Sequence, residues 1–359
     1  MEFKYPPVRR KSRAVRVGGV IIGGGFPISI QSMTTSDTRD AESTVDQIRR
    51  LTEAGCDIIR VAVPDDEAAS KLAEIKSKIS IPLVADIHFK YKLALEAIRQ
   101  GVDKIRINPG NIGDDWKVAE VTRAAKDAGI PIRVGVNSGS LPKDILKRFG
   151  HDNPEGFVAA ALRQIEILEN NDFRDIVVAL KSSNVSTAFW AHILMTEKVE
   201  YPFHLGITEA GTRQTGSIKS AVGLGALLLN GIGDTIRVSL AADPVEEIRV
   251  AKAILKSLEL KKEGVDVIAC PTCGRCQIDA IRLAEAIEEK TRDFKTPLKV
   301  AVMGCVVNGP GEAAAADVGI TGGDGVGLLF KKGKTISKIP EDRLEEVLLD
   351  EIKKMTGGK

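Results

Sequence analysis

From Pro27 to about Leu240 the chain alternates short β-branched runs with longer amphipathic stretches. The runs are PISIQS, DIIRVAV, IPLVADI, KIRINPG, PIRVGVN, DIVVALK, FHLGI and DTIRVSL. Between them lie helical patterns such as DAESTVDQIRRLTEAG and WKVAEVTRAAKDAG, each closing on the glycine expected after a helix end. Strand–helix alternation of this kind implies a parallel sheet. About eight such units match a (β/α)8 TIM-type barrel, which takes roughly 250 residues. A doubly wound open sheet is the competitor, but no G-x-G-x-x-G follows the first run. Past Ser257 the rhythm breaks: SLELKKEGVD is charged and turn-like and reads as a linker. VDVIAC, a helical IDAIRLAEAIEEKT, the strand LKVAVMGC, a Gly-rich segment, strands at VGLLF and KTISKI and a terminal helix from Pro340 follow. The pattern predicts a barrel over 1–258 and a small α+β domain over 265–359.

Polar residues inside the strands follow a parity. Side chains alternate faces along a strand. Arg106 and Asn108 share one face of KIRINPG, while Ile105 and Ile107 take the other. Arg133, Gly135 and Asn137 share a face, as do Arg237 and Ser239, Asp86 and His88, and Ala179 and Lys181. The apolar face must meet the helices, so the polar face points into the barrel, near the strand ends where barrel active sites are built. Arg60, Arg106, Arg133, Lys181 and Arg237 would repel one another, and Asp86, Glu209 and Asp57 are too few to neutralise them. Arg forks suit phosphate oxygens, so the set predicts a diphosphate site. Any one of these cations is equally an ordinary ion-pair partner or a solvated loop residue. Glu209 at the mouth is placed for acid work if burial raises its pKa, or else caps the next helix. His88 alone is weak evidence, and Cys56 reads as a small buried hydrophobe.

Composition narrows the class. Apolar residues make up 43% and charged residues 28% of 359, which excludes disordered and fibrous chains. Lys+Arg 51 against Asp+Glu 49 leaves +2, so no basic face invites nucleic acid or a membrane. The start has no apolar core of a secretory signal and no run is long enough to span a bilayer, so a cytoplasmic protein is expected. Five cysteines in a reducing compartment argue against structural disulfides. Cys270, Cys273, Cys276 and Cys305 crowd the last quarter at strand ends, and thiolates there select zinc or an iron–sulfur cluster. Spacing alone favours Cys276 as a fourth ligand.

SMTTSDT, ADIHF, KIRINPGNIG, RVGVNSGSL, ALKSSNV, HLGITEAG, GDTIRVSL, CPTCGR and GCVVNGPGE together resemble the 4-hydroxy-3-methylbut-2-en-1-yl diphosphate synthase family of non-mevalonate isoprenoid biosynthesis. The resemblance spans nearly the whole chain. It implies a barrel followed by an iron–sulfur domain, with a [4Fe–4S] cluster on Cys270, Cys273, Cys305 and Glu312 and with Cys276 outside the ligand set. A carboxylate is a harder, more weakly held donor than a thiolate, so one iron can open to substrate. The implied reaction opens and dehydroxylates 2-C-methyl-D-erythritol 2,4-cyclodiphosphate with two electrons, giving (E)-4-hydroxy-3-methylbut-2-enyl diphosphate. Arg60, Arg106, Arg133, Lys181 and Arg237 would hold the diphosphate, and Asn108, Asn137 and Ser239 would orient it. Asp86, Thr208 and Glu209 would line the reacting end, with Glu209 as proton donor. The resemblance further implies ferredoxin or flavodoxin as electron donor and a homodimer in which one subunit's cluster domain caps the other's barrel. Two other classes stay open: a phosphate-binding lyase or aldolase with structural zinc and a Schiff base on Lys181, and a non-catalytic iron–sulfur sensor.

Overall fold

The computed structural model describes residues 8–112, 114–305, 315–323 and 325–357. The chain divides into two compact units, Met1–Lys261 and Lys262–Lys359.

The first unit opens with a hairpin, β1 (Val15–Val17) and β2 (Val20–Ile22). Eight strands follow: β3 (Ser29–Met33), β4 (Ile58–Ala62), β5 (Leu83–Asp86), β6 (Lys104–Ile107), β7 (Ile132–Asn137), β8 (Ile176–Lys181), β9 (His204–Leu205) and β10 (Thr235–Ile236). They form one parallel sheet in the order β8-β7-β6-β5-β4-β3-β10-β9. A parallel bridge from Val178 to Phe203 joins the two ends and closes the ring. The eight β-branched runs thus become the eight barrel strands. The last run pairs only at Thr235 and Ile236, which leaves Arg237 and Ser239 beyond the strand end. Local chemistry sets the helix ends. The Asp40 carboxylate accepts from Ser43 N–H at 3.0 Å to start the helix Ala41–Ala54. Gly55 ends it at φ 103°, a backbone state in which a side chain would be strained.

The two faces of the strands have sorted as the parity requires. Ile59, Val61, Ile105, Ile107, Ile132, Val134, Val136, Ile176, Val178 and Leu180 all pack outward into the core shared with the helices. Burying each such side chain stabilises the fold by about 1.5–3 kcal/mol. Inside the barrel, Ile58, Val84 and Val177 meet Val15, Val17 and Ile22 of the hairpin, which plugs the N-terminal end. The sequence pattern gave no sign of this plug. Polar side chains fill the barrel above it.

The second unit is a five-stranded sheet in the order β11 (Val265–Ala269), β12 (Leu298–Met303), β13 (Val318–Gly322), β14 (Val326–Lys331) and β15 (Lys334–Pro340). The β11–β12–β13 pairs are parallel and the last two pairs antiparallel. Helices Ala280–Lys290 and Leu344–Thr356 place Leu283, Ile287, Leu348 and Ile352 against Val300, Val302 and Ile320. This is the expected α+β unit. One strand, β13, was hidden in the Gly-rich stretch. Among the described residues no helix is long and apolar enough to cross a membrane.

Candidate active site

Above the hairpin plug the barrel holds a layer of buried cations. Arg60 is 7% exposed, Arg106 5%, Arg133 2% and Lys181 8%. Strand register sets their places: Asp86, Arg106 and Arg133 stand abreast on β5, β6 and β7, and Asn137 pairs with Lys181 higher up. Asp86 binds Arg106 Nη1 at 3.1 Å and lies 3.7 Å from Arg60 Nε. Burial opposes ionisation of Asp86, but Arg60, a hydrogen bond from His88, Arg106 and Arg133 outweigh it, holding the carboxyl well below the usual range. Burial pushes the Arg60 and Arg133 guanidiniums below their ordinary values, and neighbouring arginines add to the push. Arg133 Nε and Nη1, Arg106 Nε and Arg237 Nε have no hydrogen-bond partner. Buried donors without partners are the exception in a folded protein.

Glycines make room for this layer. A Cβ on Gly135 would stand 3.2 Å from Arg106 Nε. A Cβ on Gly206 would meet the Arg237 carbonyl at 2.7 Å and Lys181 Nζ at 3.0 Å. Both side chains can lie across neighbouring strands only because those positions carry no side chain.

The rim completes the site. Asn108 is buried, while Asn137, Arg237 and Ser239 are half-buried. Arg60 donates to the Met33 thioether at 3.2 and 3.0 Å, and Arg237 approaches the same sulfur at 3.8 Å. Glu247, from the helix Pro244–Ser257, reaches Arg237 Nε at 3.7 Å while holding Ser32 Oγ and Leu240 N–H. Sequence reading missed Glu247, because on a helix it resembles any surface acid. It also missed Lys104 and His204, both fully buried inside the barrel. Asp57 does not join the cations, since its carboxylate accepts from Ile30 N–H at 2.7 Å. Thr208 is half-buried, and Glu209 is exposed at φ 48°. The burial expected of Glu209 is therefore absent. Nor does it cap the next helix, whose N-cap is Thr212. A non-glycine residue held in the left-handed region at a strand's C-terminal mouth is strained, and such strain collects at functional loops. His88 is more than half exposed and contacts Arg106 Nη1 at 3.1 Å.

In the second unit, Cys270 follows β11 and Cys305 lies two residues past β12, on adjacent parallel strands. Cys270 N–H donates to the Val302 carbonyl at 3.1 Å, and Gln277 N–H to the Gly304 carbonyl at 2.8 Å. These two bonds fold the loop bearing Cys273 and Cys276 back onto the end of β12. None of the five cysteines is in a disulfide. The Cys276 thiol donates to the Ile278 carbonyl at 3.1 Å and packs against the apolar core of this unit. Cys273 is exposed and Cys270 half-buried. Among the described residues, no three His, Cys, Asp or Glu side chains stand together as a metal-holding group. Glu312 lies outside the described residues. The donor chemistry at this end, soft thiols outside any disulfide, fits an iron–sulfur centre.

Comparison with known proteins joins the two units. Residues 12–252 match the GcpE TIM-barrel domain, and residues 266–354 match the GcpE protein C-terminal domain. The chain is 58% identical over 97% of its length to a 4-hydroxy-3-methylbut-2-en-1-yl diphosphate synthase (flavodoxin) of Caldanaerobacter subterraneus, covering 98% of that protein. It is 57% identical over 95% of its length to the protein of the same name in Clostridium perfringens, again covering 98%. A dihydropteroate synthase from Stenotrophomonas maltophilia matches at TM-score 0.50 and 16% identity, over 68% of this chain and 98% of that one, which shows a shared barrel fold alone. With a buried cationic barrel, a cysteine-bearing second unit and relatives this similar over nearly the whole length, the chain belongs to the GcpE family of 4-hydroxy-3-methylbut-2-en-1-yl diphosphate synthases, oxidoreductases.

Proposed function

We propose that the barrel binds 2-C-methyl-D-erythritol 2,4-cyclodiphosphate and that the protein converts it to (E)-4-hydroxy-3-methylbut-2-enyl diphosphate. The observation that carries this reading is the buried layer of Arg60, Arg106, Arg133 and Lys181, with unpartnered guanidinium nitrogens and Asp86 as the carboxylate bonded into it. In the reaction two electrons enter, the ring C–O bond to phosphate breaks, and a hydroxyl departs as water after taking one proton. The freed phosphate oxygen stays anionic, so the product carries one more negative charge on its diphosphate than the substrate. Fixed guanidiniums are suited to that developing charge, because they need no reorganisation as it forms. Asn108, Asn137, Arg237 and Ser239 orient the ligand from the rim, and Asp86 and Thr208 line its reacting end. Glu209 donates the proton to the leaving hydroxyl; its exposure leaves it open to reload from solvent.

A [4Fe–4S] cluster held by Cys270, Cys273, Cys305 and Glu312 would supply the electrons one at a time. Flavodoxin as their source is supported by the names of the relatives. The same proposal takes the protein as cytoplasmic and homodimeric. A dimer is supported by Ile218 (62% exposed), Val222 (58%) and Leu229 (55%), which line one face of the helix Arg213–Leu229, with exposed Trp190 on the neighbouring helix.

The test is made on protein purified without air. Iron in the preparation, absorption near about 400 nm and turnover of the cyclic diphosphate with reduced flavodoxin are expected. Cys305→Ser should lose iron and colour, whereas Cys276→Ser should keep both. Colourless protein holding stoichiometric zinc, or no turnover by the iron-loaded enzyme, overturns the reading.

A further inference from the structure

Two buried groups inside the barrel, Lys104 and His204, are not among those assigned to hold the diphosphate. Lys104 is fully buried, and its Nζ meets no acceptor. A buried ammonium costs several kcal/mol unless paired. A lysine at this depth therefore needs either a counter-charge or a reason to stay neutral.

Position supplies the reason. Lys104 stands one inward step below Arg106 on β6, and Val84 links it in register to Arg60 on β4. It thus forms part of the floor beneath the guanidiniums. The charged groups it feels are Arg133 from β7 and Arg60 from β4, both cations. Burial first, and these two guanidiniums second, push its amine well below its ordinary value. His204 on β9 shares the floor with both ring nitrogens unpartnered, and burial together with Lys181, Arg133, Lys104 and Arg60 keeps it neutral. Asp86, on β5, is already bonded to Arg106.

An anion seated on the guanidiniums reverses the balance at Lys104. Two negative phosphates offset Arg60 and Arg133, and the cost of charging the amine falls. We infer that Lys104 is the switchable floor of the diphosphate site, an amine that takes a proton from solvent as the anion binds and so adds a cation beneath the fixed arginines. This rests on the diphosphate reading above and deepens it. A permanent sixth cation would raise repulsion in the unliganded barrel, whereas a lysine that charges on binding adds attraction only when the anion is present. Arginine is always protonated and cannot play this part; lysine shifts readily when buried.

The substrate makes the test clean. Each phosphorus of the cyclic diphosphate has two bridging oxygens and one acidic oxygen, so the ligand's own charge does not change between neutral and mildly alkaline pH. Calorimetric titration of the iron-loaded enzyme with this compound, in buffers of different ionisation enthalpy, counts protons taken up by the protein. Lys181 on β8 is a second buried amine pushed down by burial and the neighbouring arginines, so the proton count is read as a difference between variants. Proton uptake near pH 8 is expected for the wild type, with affinity falling as pH rises. Lys104→Met should lower that uptake by about one proton, make the pH dependence shallower and weaken binding at pH 7 by about tenfold or more. His204→Gln should keep the uptake. A purely structural lysine would leave proton count and pH slope unchanged on substitution. Wild-type binding without proton uptake, or uptake unchanged by Lys104→Met or lowered by His204→Gln, overturns the inference. No binding by the wild type would instead defeat the diphosphate reading itself.

Discussion

Asp86 is the carboxylate bonded into the cationic layer, and replacing it with Asn separates two effects that ordinarily move together. Asn keeps the shape and removes the charge. In the wild type the carboxylate meets Arg106 at 3.1 Å and Arg60 at 3.7 Å, and its side chain is 6% exposed. Breaking a buried pair by removing one partner costs about 3–5 kcal/mol, because the other charge is left uncompensated. Arg133 is also buried within its field, so the upper part of that range is expected for the unliganded barrel. Anion binding should move the other way. With one negative charge gone from the site, inorganic pyrophosphate meets less repulsion and binds more tightly. At 100 times the dissociation constant a ligand stabilises the fold by about 2.7 kcal/mol, and a tenfold gain in affinity adds about 1.4 kcal/mol. The assay is urea unfolding followed by tryptophan fluorescence, with and without pyrophosphate. Both tryptophans, Trp116 and Trp190, lie in the barrel unit, so the signal reports that unit alone. The expected result is a variant less stable than wild type when unliganded, yet stabilised more by the same pyrophosphate concentration. An unliganded variant as stable as wild type would refute the charge-balance argument. So would a smaller gain from pyrophosphate, since it would mean that Asp86 serves mainly to orient the arginines.

Two further outcomes follow from packing. Gly135→Ala sets a methyl 3.2 Å from Arg106 Nε and 3.3 Å from its Nη2, close enough that the guanidinium bonded to Asp86 must shift; binding of the cyclic diphosphate, read by calorimetry, should weaken by about tenfold, the scale of one displaced charge-assisted contact. Unchanged affinity there would show that Arg106 has room to shift. If the proposed dimer uses the exposed apolar helix face, the wild type should sediment as a dimer and Ile218→Glu, which places a charge there, as a monomer; a variant that remains dimeric moves the interface elsewhere.

The barrel was legible because both faces of its strands are covered. Outward positions must be apolar to meet helices, so Arg106, Arg133 and Lys181 stood out against Ile105, Val134 and Leu180. The same rule applies to Lys104, two residues before Arg106, but it opens β6, where no preceding strand residue marks the parity. Its register partner Val84 packs against the hairpin of Val15–Val17 and Val20–Ile22 that closes the barrel from below, a tertiary contact with no local signature. Glu247 was hidden for a related reason: its helix carries ordinary acids, and only the three-dimensional path brings this one over Arg237. Glu209 was legible as a mouth residue but not as an exposed one, since its left-handed backbone, not its neighbours in sequence, turns it outward.

The cysteines mark the limit of spacing as evidence. Cys270, Cys273 and Cys276 recur at equal intervals, and by interval alone all three are equal candidates to bind metal. Burial separates Cys273 from the other two, which are both half-buried. Cys273 is exposed, whereas Cys276 turns its thiol to the Ile278 carbonyl and lies against the same apolar core as Ile287 and Val302. Cys276 packs beside Gly304, which has no room for a side chain next to that sulfur. Cys270 likewise turns its thiol to the Pro271 carbonyl at 3.4 Å and lies against a second apolar cluster, so it is iron retention by Cys276→Ser, and not burial, that distinguishes a ligand here from a packing residue.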